Sequence, residues 1–244
     1  MWRDKRVMVV FPTYNEKDSI KNAINEMFAE EYIDDVIIVN NNAVLGTDEE
    51  VKKTKAKLIY EKKQGYGYSI KCGLKEALRL GADFVVISEP DGTFISHDVV
   101  KLLAYSDDFD AVFGTRTTKE LIMQGANMGL FLKWGNWAVA KMVELLFNTT
   151  VLTDVGCTMK LLNRNALERI KDQFTIGGSH FGVELMLLVI INKIKFFEIP
   201  LNYSRRVGVS SVTGETHVAF LLGLKMISLI IKYRMKSMFC KFNK

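Results

Sequence analysis

Residues 7–28 read VMVVFPTYNEKDSIKNAINEMF, and this stretch decides the fold class. The apolar run over 7–11 is five residues long and is cut off by Pro12-Thr13-Tyr14-Asn15-Glu16, which marks a buried first strand entering a turn. Directly afterwards Ile20, Ala23, Ile24, Met27 and Phe28 recur at helical spacing. The same rhythm continues downstream. Strands are predicted over 35–39, 57–60, 84–88 and 111–114, with a second apolar helix face at Ile70, Leu74, Ala77 and Leu78. Strand, helix, strand in this order means βαβ units and a mostly parallel sheet in an α/β fold.

In such sheets ligands bind at the carboxyl ends of the strands. Four loops occupy those ends: 12–16, 40–47, 61–68 and 89–94. Gly, Asn, Asp and Pro concentrate in them. The second half reads differently, with helices over 130–147 and 181–191, an irregular strand over 155–162 and a strand over 195–203. Residues 204–216 carry Ser, Gly and Arg with little apolar content, and helix resumes from Val218. There is no internal repeat and no linker.

The 244 residues are 48% hydrophobic and 25% charged, enough apolar material for one large core. Cys72, Cys157 and Cys240 are scattered, which excludes a disulfide framework or a zinc site and suits a reducing compartment. No secretory signal is visible, and no run reaches the roughly 18 apolar residues of a membrane span. Net charge is +5, yet no acidic residue follows Glu215 while Lys225, Lys232, Arg234, Lys236, Lys241 and Lys244 do. The body is therefore close to neutral. That argues against nucleic acid as a partner and for an anionic surface met by the C-terminus.

Each loop has a functional and a plain reading. Pro12–Glu16 offers a rigid turn with a carboxylate and an aromatic face for a nucleobase; alternatively Asn15 caps a helix whose first turn holds Glu16. Asn40 and Asn41 supply amides for a base edge or ribose, or merely shape a turn. Gln64-Gly65-Tyr66-Gly67-Tyr68 opens a helix whose N–H groups attract phosphate. Glu89-Pro90-Asp91-Gly92 closes a hydrophobic strand with two carboxylates one residue apart, so that both can share a hard cation bridging a pyrophosphate. A simple Pro-Asp-Gly turn is the other reading.

The ordered set resembles family 2 glycosyltransferases of the GT-A fold: P-x-Y-N-E, V-D-D-x-S-x-D-x-T, a Gly-x-Gly helix start and D-x-D. Gly114-Thr115-Arg116 matches G-S/T-R, residues 154–160 resemble D-x-x-C-G-F-K, and Glu198-Ile199-Pro200 with Arg205, Arg206, Gly208 and Ser210 resembles E-x-P…R-x-G-x-S-K. The last two are patterns of polyprenyl-phosphate sugar synthases. Asn40 and Asn41 depart from the aspartates of the pattern, Glu89 from the first Asp of D-x-D and Ser211 from its lysine. No Q-x-x-R-W occurs, which disfavours a processive synthase.

The resemblance implies a GT-A catalytic domain over 1–211 and a C-terminal amphipathic basic helix and tail over 212–244. It implies inverting transfer from a nucleotide diphosphate sugar to a polyprenyl phosphate, with Mn²⁺ or Mg²⁺ on Glu89 and Asp91. Nucleotide-sugar contacts would come from Pro12, Tyr14, Glu16, Asn40, Asn41, Gly65, Gly67, Glu89, Pro90 and Asp91. Arg116 and Arg205 or Arg206 would neutralise phosphate charge. A sugar-hydroxyl acceptor would instead need a base, for which Asp154 and Glu184 are the candidates. A nucleotide-sugar-binding protein that has lost catalysis stands as the alternative. Lys225, Ser228, Lys232 and Lys236 draw one polar stripe on an apolar helix, suited to a cytoplasmic membrane face or to packing on the domain or on a second subunit.

Overall fold

The structure, a computed structural model, describes residues 1–208 and 216–242. The motif positions Ser210 and Ser211 and the terminal Lys244 lie outside the described residues. The chain runs β1 (Val7–Thr13), α1 (Lys17–Ala29), β2 (Asp35–Asn40), α2 (Thr47–Lys52), β3 (Lys57–Tyr60), α3 (Tyr66–Arg79), β4 (Phe84–Ile87), α4 (Asp98–Ala104) and β5 (Ala111–Thr115). It continues through α5 (Leu130–Phe147), β6 (Lys160–Asn163), α6 (Arg164–Ile170), α7 (Phe181–Ile191), β7 (Phe196–Pro200) and α8 (Thr216–Phe242).

Seven strands form one sheet in the order β3-β2-β1-β4-β6-β5-β7. β1, β2, β3 and β4 are parallel neighbours, and β7 is parallel to β5. Only β6 runs against its neighbours, β4 and β5. The mostly parallel sheet expected from the sequence is therefore present. Buried on both faces, β1 sends Met8 and Val10 into one core and Val7, Val9 and Phe11 into the other. The first core is shared with α3, α5, α6, α7 and α8, the second with α1, α2 and α4. Strand alternation thus divides one apolar run between two layers.

Two differences from the sequence reading have physical causes. The strand expected over 155–162 shortens to Lys160–Asn163: within that span the Gly156 N–H turns back to the Asp154 carboxylate and does not meet a neighbouring strand. The helices α2, α4 and α6 are only six or seven residues long, too short for a 3.6-residue period to declare itself.

α8 is built into the domain. Met226, Leu229, Ile230 and Tyr233 are buried in the first core, while Lys225, Ser228, Lys232 and Lys236 are exposed. Tyr233 Oη donates to Glu184 of α7 at 2.7 Å. Among the described residues, no helix is long and apolar enough to cross a membrane.

Candidate active site

A cavity of about 750 Å³ opens over the carboxyl ends of β1, β2 and β4, where the strand-end rule puts a ligand. Its lining changes character along its length. At one end stand Pro12, Tyr14, Glu16, Asn41, Gly65, Glu89, Arg116 and Arg206; at the other, Phe131, Leu132 and Val139 of α5 face Phe220, Leu222, Leu224 and Ile227 of α8.

The polar end is an acidic centre closed by one arginine. Asp91 is fully buried and turns back on its own loop: its Oδ1 accepts from Thr93 N at 2.9 Å and Thr93 Oγ1 at 2.6 Å. Its Oδ2 meets Arg206 Nη1 at 2.7 Å and accepts no aligned hydrogen bond among the described residues. The same guanidinium lies 3.7 Å from Glu89 and donates to Glu16 Oε1 at 2.9 Å. Two backbone bonds hold this segment over the loop, from Ser204 N to Thr93 O and from Val207 N to Asp91 O, each 2.8 Å. Burial, then the adjacent Asp91 carboxylate, pushes Glu89 up to about 8, against the pull of Arg206. Burial, then Glu89, likewise raises the Tyr66 phenol.

Glu16 occupies the N-cap position of α1, and Asn15 is not the cap. Glu16 Oε2 folds back to accept from Tyr14 N at 2.6 Å and Asn15 N at 2.8 Å, which makes the loop after β1 rigid and leaves Tyr14 exposed at the rim.

The asparagines that depart from the family pattern are stitches between loops. Asn41 Nδ2 donates to Glu61 O at 2.8 Å and Lys63 O at 2.9 Å, while its Oδ1 accepts from Gly65 N at 2.8 Å. Asn40 Nδ2 donates to Asp48 at 2.6 Å and its Oδ1 takes Ala43 N at 2.8 Å. An aspartate offers no donor for those carbonyls. Both amides are thus engaged within the loops, and Asn40 does not line the cavity, which leaves the expected side-chain contact to a nucleoside without a free group there. Gly65 sits at φ 145°, where a side chain is strained and a Cβ would strike the Gly177 carbonyl. Gly67 is buried, and its closeness to the Ile176 carbonyl and Phe181 makes it a packing residue.

Arg116 is held differently from Arg206. Its backbone N–H and Nε donate to Asp154 Oδ2 at 3.0 and 2.8 Å, and its Nη2 donates to Oδ1 at 3.0 Å. Oδ1 also takes Gly156 N at 2.9 Å. Burial works against both charges, but the bidentate pair outweighs it: the Arg116 pKa is raised and the Asp154 pKa lowered. With both oxygens so occupied in a fully buried carboxylate, Asp154 is not available as the base considered for a hydroxyl acceptor. Glu184 is not available either. It is buried and accepts from Thr175 N, Thr175 Oγ1, Ile176 N and Tyr233 Oη.

The fold therefore gathers Pro12, Tyr14, Glu16, Asn41, Gly65, Glu89, Pro90, Arg116 and Arg206 around one cavity, with Asp91 and Asp154 immediately behind them. Arg205 points away, exposed beside Gly125. Sequence reading missed Tyr66, Asn136, Ser179 and Tyr203, which also line the cavity. Asn136 had a signal: it is a lone amide in the apolar stretch of α5.

Residues 8–171 match the family model described as Glycosyl transferase family 2. The chain is 27% identical to the UDP-N-acetylglucosamine–dolichyl-phosphate N-acetylglucosaminyltransferase of Methanococcus voltae, over 91% of this chain and 97% of the relative. It is 29% identical to the dolichyl-phosphate hexose transferase of Haloferax volcanii, with 82% of this chain and 83% of that protein covered. In fold it resembles glucosyl-3-phosphoglycerate synthase from Mycobacterium tuberculosis, crystallised with Mn²⁺, uridine diphosphate and phosphoglyceric acid. That likeness has a TM-score of 0.72 at 12% identity, over 95% of this chain and 79% of the other.

Proposed function

The chain belongs to glycosyl transferase family 2, and from that premise we propose that it moves a sugar from a nucleoside-diphosphate sugar to a membrane-embedded polyprenyl monophosphate. The observation that carries the acceptor is the two-ended cavity. An acidic and arginine-lined pole, suited to diphosphate chemistry, continues without a break into an apolar channel between α5 and α8. A water-soluble acceptor has no use for that second end. The names of the two relatives point to the same acceptor class.

Exposed apolar side chains on the channel helices, some of which also line the channel, support docking on a bilayer. Leu130, Phe131, Trp134 and Trp137 of α5 and Phe220, Leu221 and Leu224 of α8 are exposed, with the tryptophan rings edge-on at 5.7 Å. Amphipathic aromatics favour the membrane interface, and the exposed lysines of α8 would meet anionic headgroups.

For a divalent ion the donor set fits. Glu89 and Asp91 are hard oxygen ligands, and among the described residues Asp91 Oδ2 is met by the Arg206 guanidinium alone. Among the described residues no three His, Cys, Asp or Glu side chains group as a metal site, so phosphate oxygens and water would complete the shell, as is usual for Mg²⁺. When bound, Mn²⁺ or Mg²⁺ would stabilise the departing diphosphate as a Lewis acid. Arg206, released from Asp91, and Arg116 would supply the remaining positive charge. An acceptor phosphate oxygen attacks the anomeric carbon as its bond to the diphosphate breaks, inverting that centre. A phosphomonoester, with second pKa ~6, is already ionised and needs no base. That agrees with the prior engagement of Asp154 and Glu184.

The reading in which catalysis has been lost rested on the asparagines at 40 and 41 and on Glu89. The first two act as loop stitches, and the third keeps its carboxylate. Thermal unfolding with nucleoside diphosphates, with and without Mn²⁺, tests the donor site: at 100 times Kd a ligand adds about 2.7 kcal/mol of stability. A metal-enhanced rise in Tm is expected; no rise with any nucleotide would overturn the reading.

A further inference from the structure

Glu198 lies on β7, the edge strand, and does not line the cavity. Its carboxylate nevertheless takes three donors from one loop: Thr153 N and Thr153 Oγ1 at 2.6 Å each, and Asp154 N at 3.2 Å. The preceding N–H, that of Leu152, goes to Glu144 of α5 at 2.6 Å. Three successive backbone N–H groups therefore hang from two carboxylates. The third of those residues, Asp154, grips the Arg116 guanidinium through both of its oxygens. No cation lies within 4.0 Å of Glu198 among the described residues, so its acceptors are devoted to the loop.

We propose that Glu198 is a positioning residue: by suspending the backbone of Thr153 and Asp154 it sets where Arg116 stands in the cavity. This rests on the reading above, in which Arg116 meets substrate phosphate. A displacement of residue 154 is passed directly to the guanidinium, because the Asp154–Arg116 pair is bidentate and buried. A further stitch holds Thr153, whose Oγ1 lies 2.7 Å from Thr115 Oγ1 at the end of β5, one residue before Arg116.

The arrangement also makes the ladder sensitive to pH. Burial, only partly offset by the Thr153 and Asp154 bonds, pushes Glu198 up to about 7. The charged groups that act on it are Asp154 on the loop and Lys160 on β6; Arg116 stands one step further, paired to Asp154, and the Glu144–Lys141 pair of α5 holds the neighbouring Leu152 N–H. Above about 7 the carboxylate is ionised and accepts all three donors; below it, an added O–H faces those donors and the loop loses a bond. Catalysis should therefore rise with pH through this range.

The experiment measures kcat and KM for nucleotide sugar and polyprenyl phosphate, from about pH 6 to about pH 9, in the full chain and three variants. The parent should show a limb near 7. Glu198→Gln should lose the limb and run roughly tenfold slower at high pH, the scale of one hydrogen bond to a charged group. Thr153→Val removes one bond to the ionised form, so its limb should move to higher pH; this arm stands even if the Gln variant folds poorly. Arg116→Lys should keep the limb at a lower rate. A limb near 7 retained in Glu198→Gln and unmoved in Thr153→Val overturns the inference alone. Parental kinetics in Arg116→Lys would overturn the underlying role of Arg116.

Discussion

Arg116 and Arg206 reach the same cavity, yet one is owned and the other borrowed. Arg116 has a dedicated partner in Asp154, which offers it two oxygens and sits behind the cavity wall. Arg206 has no such partner. It spans Glu16, Glu89 and Asp91, the carboxylates assigned here to nucleotide and metal, and it rides on a segment held to the loop after β4 by two backbone bonds. The contrast separates a charge fixed in place before substrate arrives from a charge that must give way when it does. Preorganised charge costs no rearrangement at the moment of reaction; an exchangeable one offsets part of the charge of an acidic centre until substrate displaces it.

The largest expected effect comes from the centre that Arg206 borrows. Asp91→Asn keeps the Oδ1 acceptor of the Thr93 turn but removes the charge. Transfer should drop by about 10³ or more, the several kcal/mol expected of a lost metal contact, and Mn²⁺ should no longer raise nucleotide affinity. Full activity in EDTA would contradict this.

Next in size is the pair of arginine truncations. Arg116→Ala leaves Asp154 as a buried, unpaired carboxylate, which costs about 3–5 kcal/mol and should lower Tm by on the order of 10 °C in a chain of this size. Arg206→Ala also uncovers a buried carboxylate, but the guanidinium is part-exposed and shared with Glu16 and Glu89, whose mutual repulsion it relieves only in part. The loss of Tm should therefore be smaller, while nucleotide-free Mn²⁺ should bind more tightly by calorimetry, because its competitor is gone. Equal losses of Tm in the two variants would erase the distinction between them.

The frame that carries this contrast was legible in the sequence, whereas the two arginines read alike, as groups that neutralise phosphate. The strand-loop-helix rhythm gave the parallel sheet, and the spacing of Glu89 and Asp91 marked the acidic centre. What could not be read was how the side chains share their bonds. Asp154 looked like a base because an aspartate in a motif carries no sign of its partner 38 residues away. Asn41 looked like a weakened ligand because the carbonyls it holds belong to a loop 20 or more residues downstream, and Asn40 because its partners, Asp48 and Ala43, carry no sign of the bond in the sequence. Similarly, α8 read as an appendage. Its polar stripe was visible, but its bond from Tyr233 to Glu184 closes over 49 residues.

A smaller effect is expected at the surface. Lys225, Lys232 and Lys236 are exposed, whereas Arg234 lies over the Phe147 ring at 5.9 Å and is better left intact. Each cation adds roughly 1 kcal/mol near an anionic bilayer. Reversing the three lysines to glutamate should therefore weaken sedimentation with anionic liposomes by about 10²-fold or more at low salt, with nucleotide binding unchanged. Undiminished liposome binding would show that the tail lysines do not dock the protein.

The most direct test of the account is transfer itself. The full chain, a panel of radiolabelled nucleotide sugars and polyprenyl monophosphate in anionic liposomes are incubated with Mn²⁺, and the organic phase is assayed for labelled lipid. A lipid-linked sugar phosphate of inverted anomeric configuration is expected, formed only with metal and only when the lipid carries a free phosphate. Label appearing on a soluble sugar acceptor, or transfer undiminished when polyprenol replaces its phosphate, would contradict it.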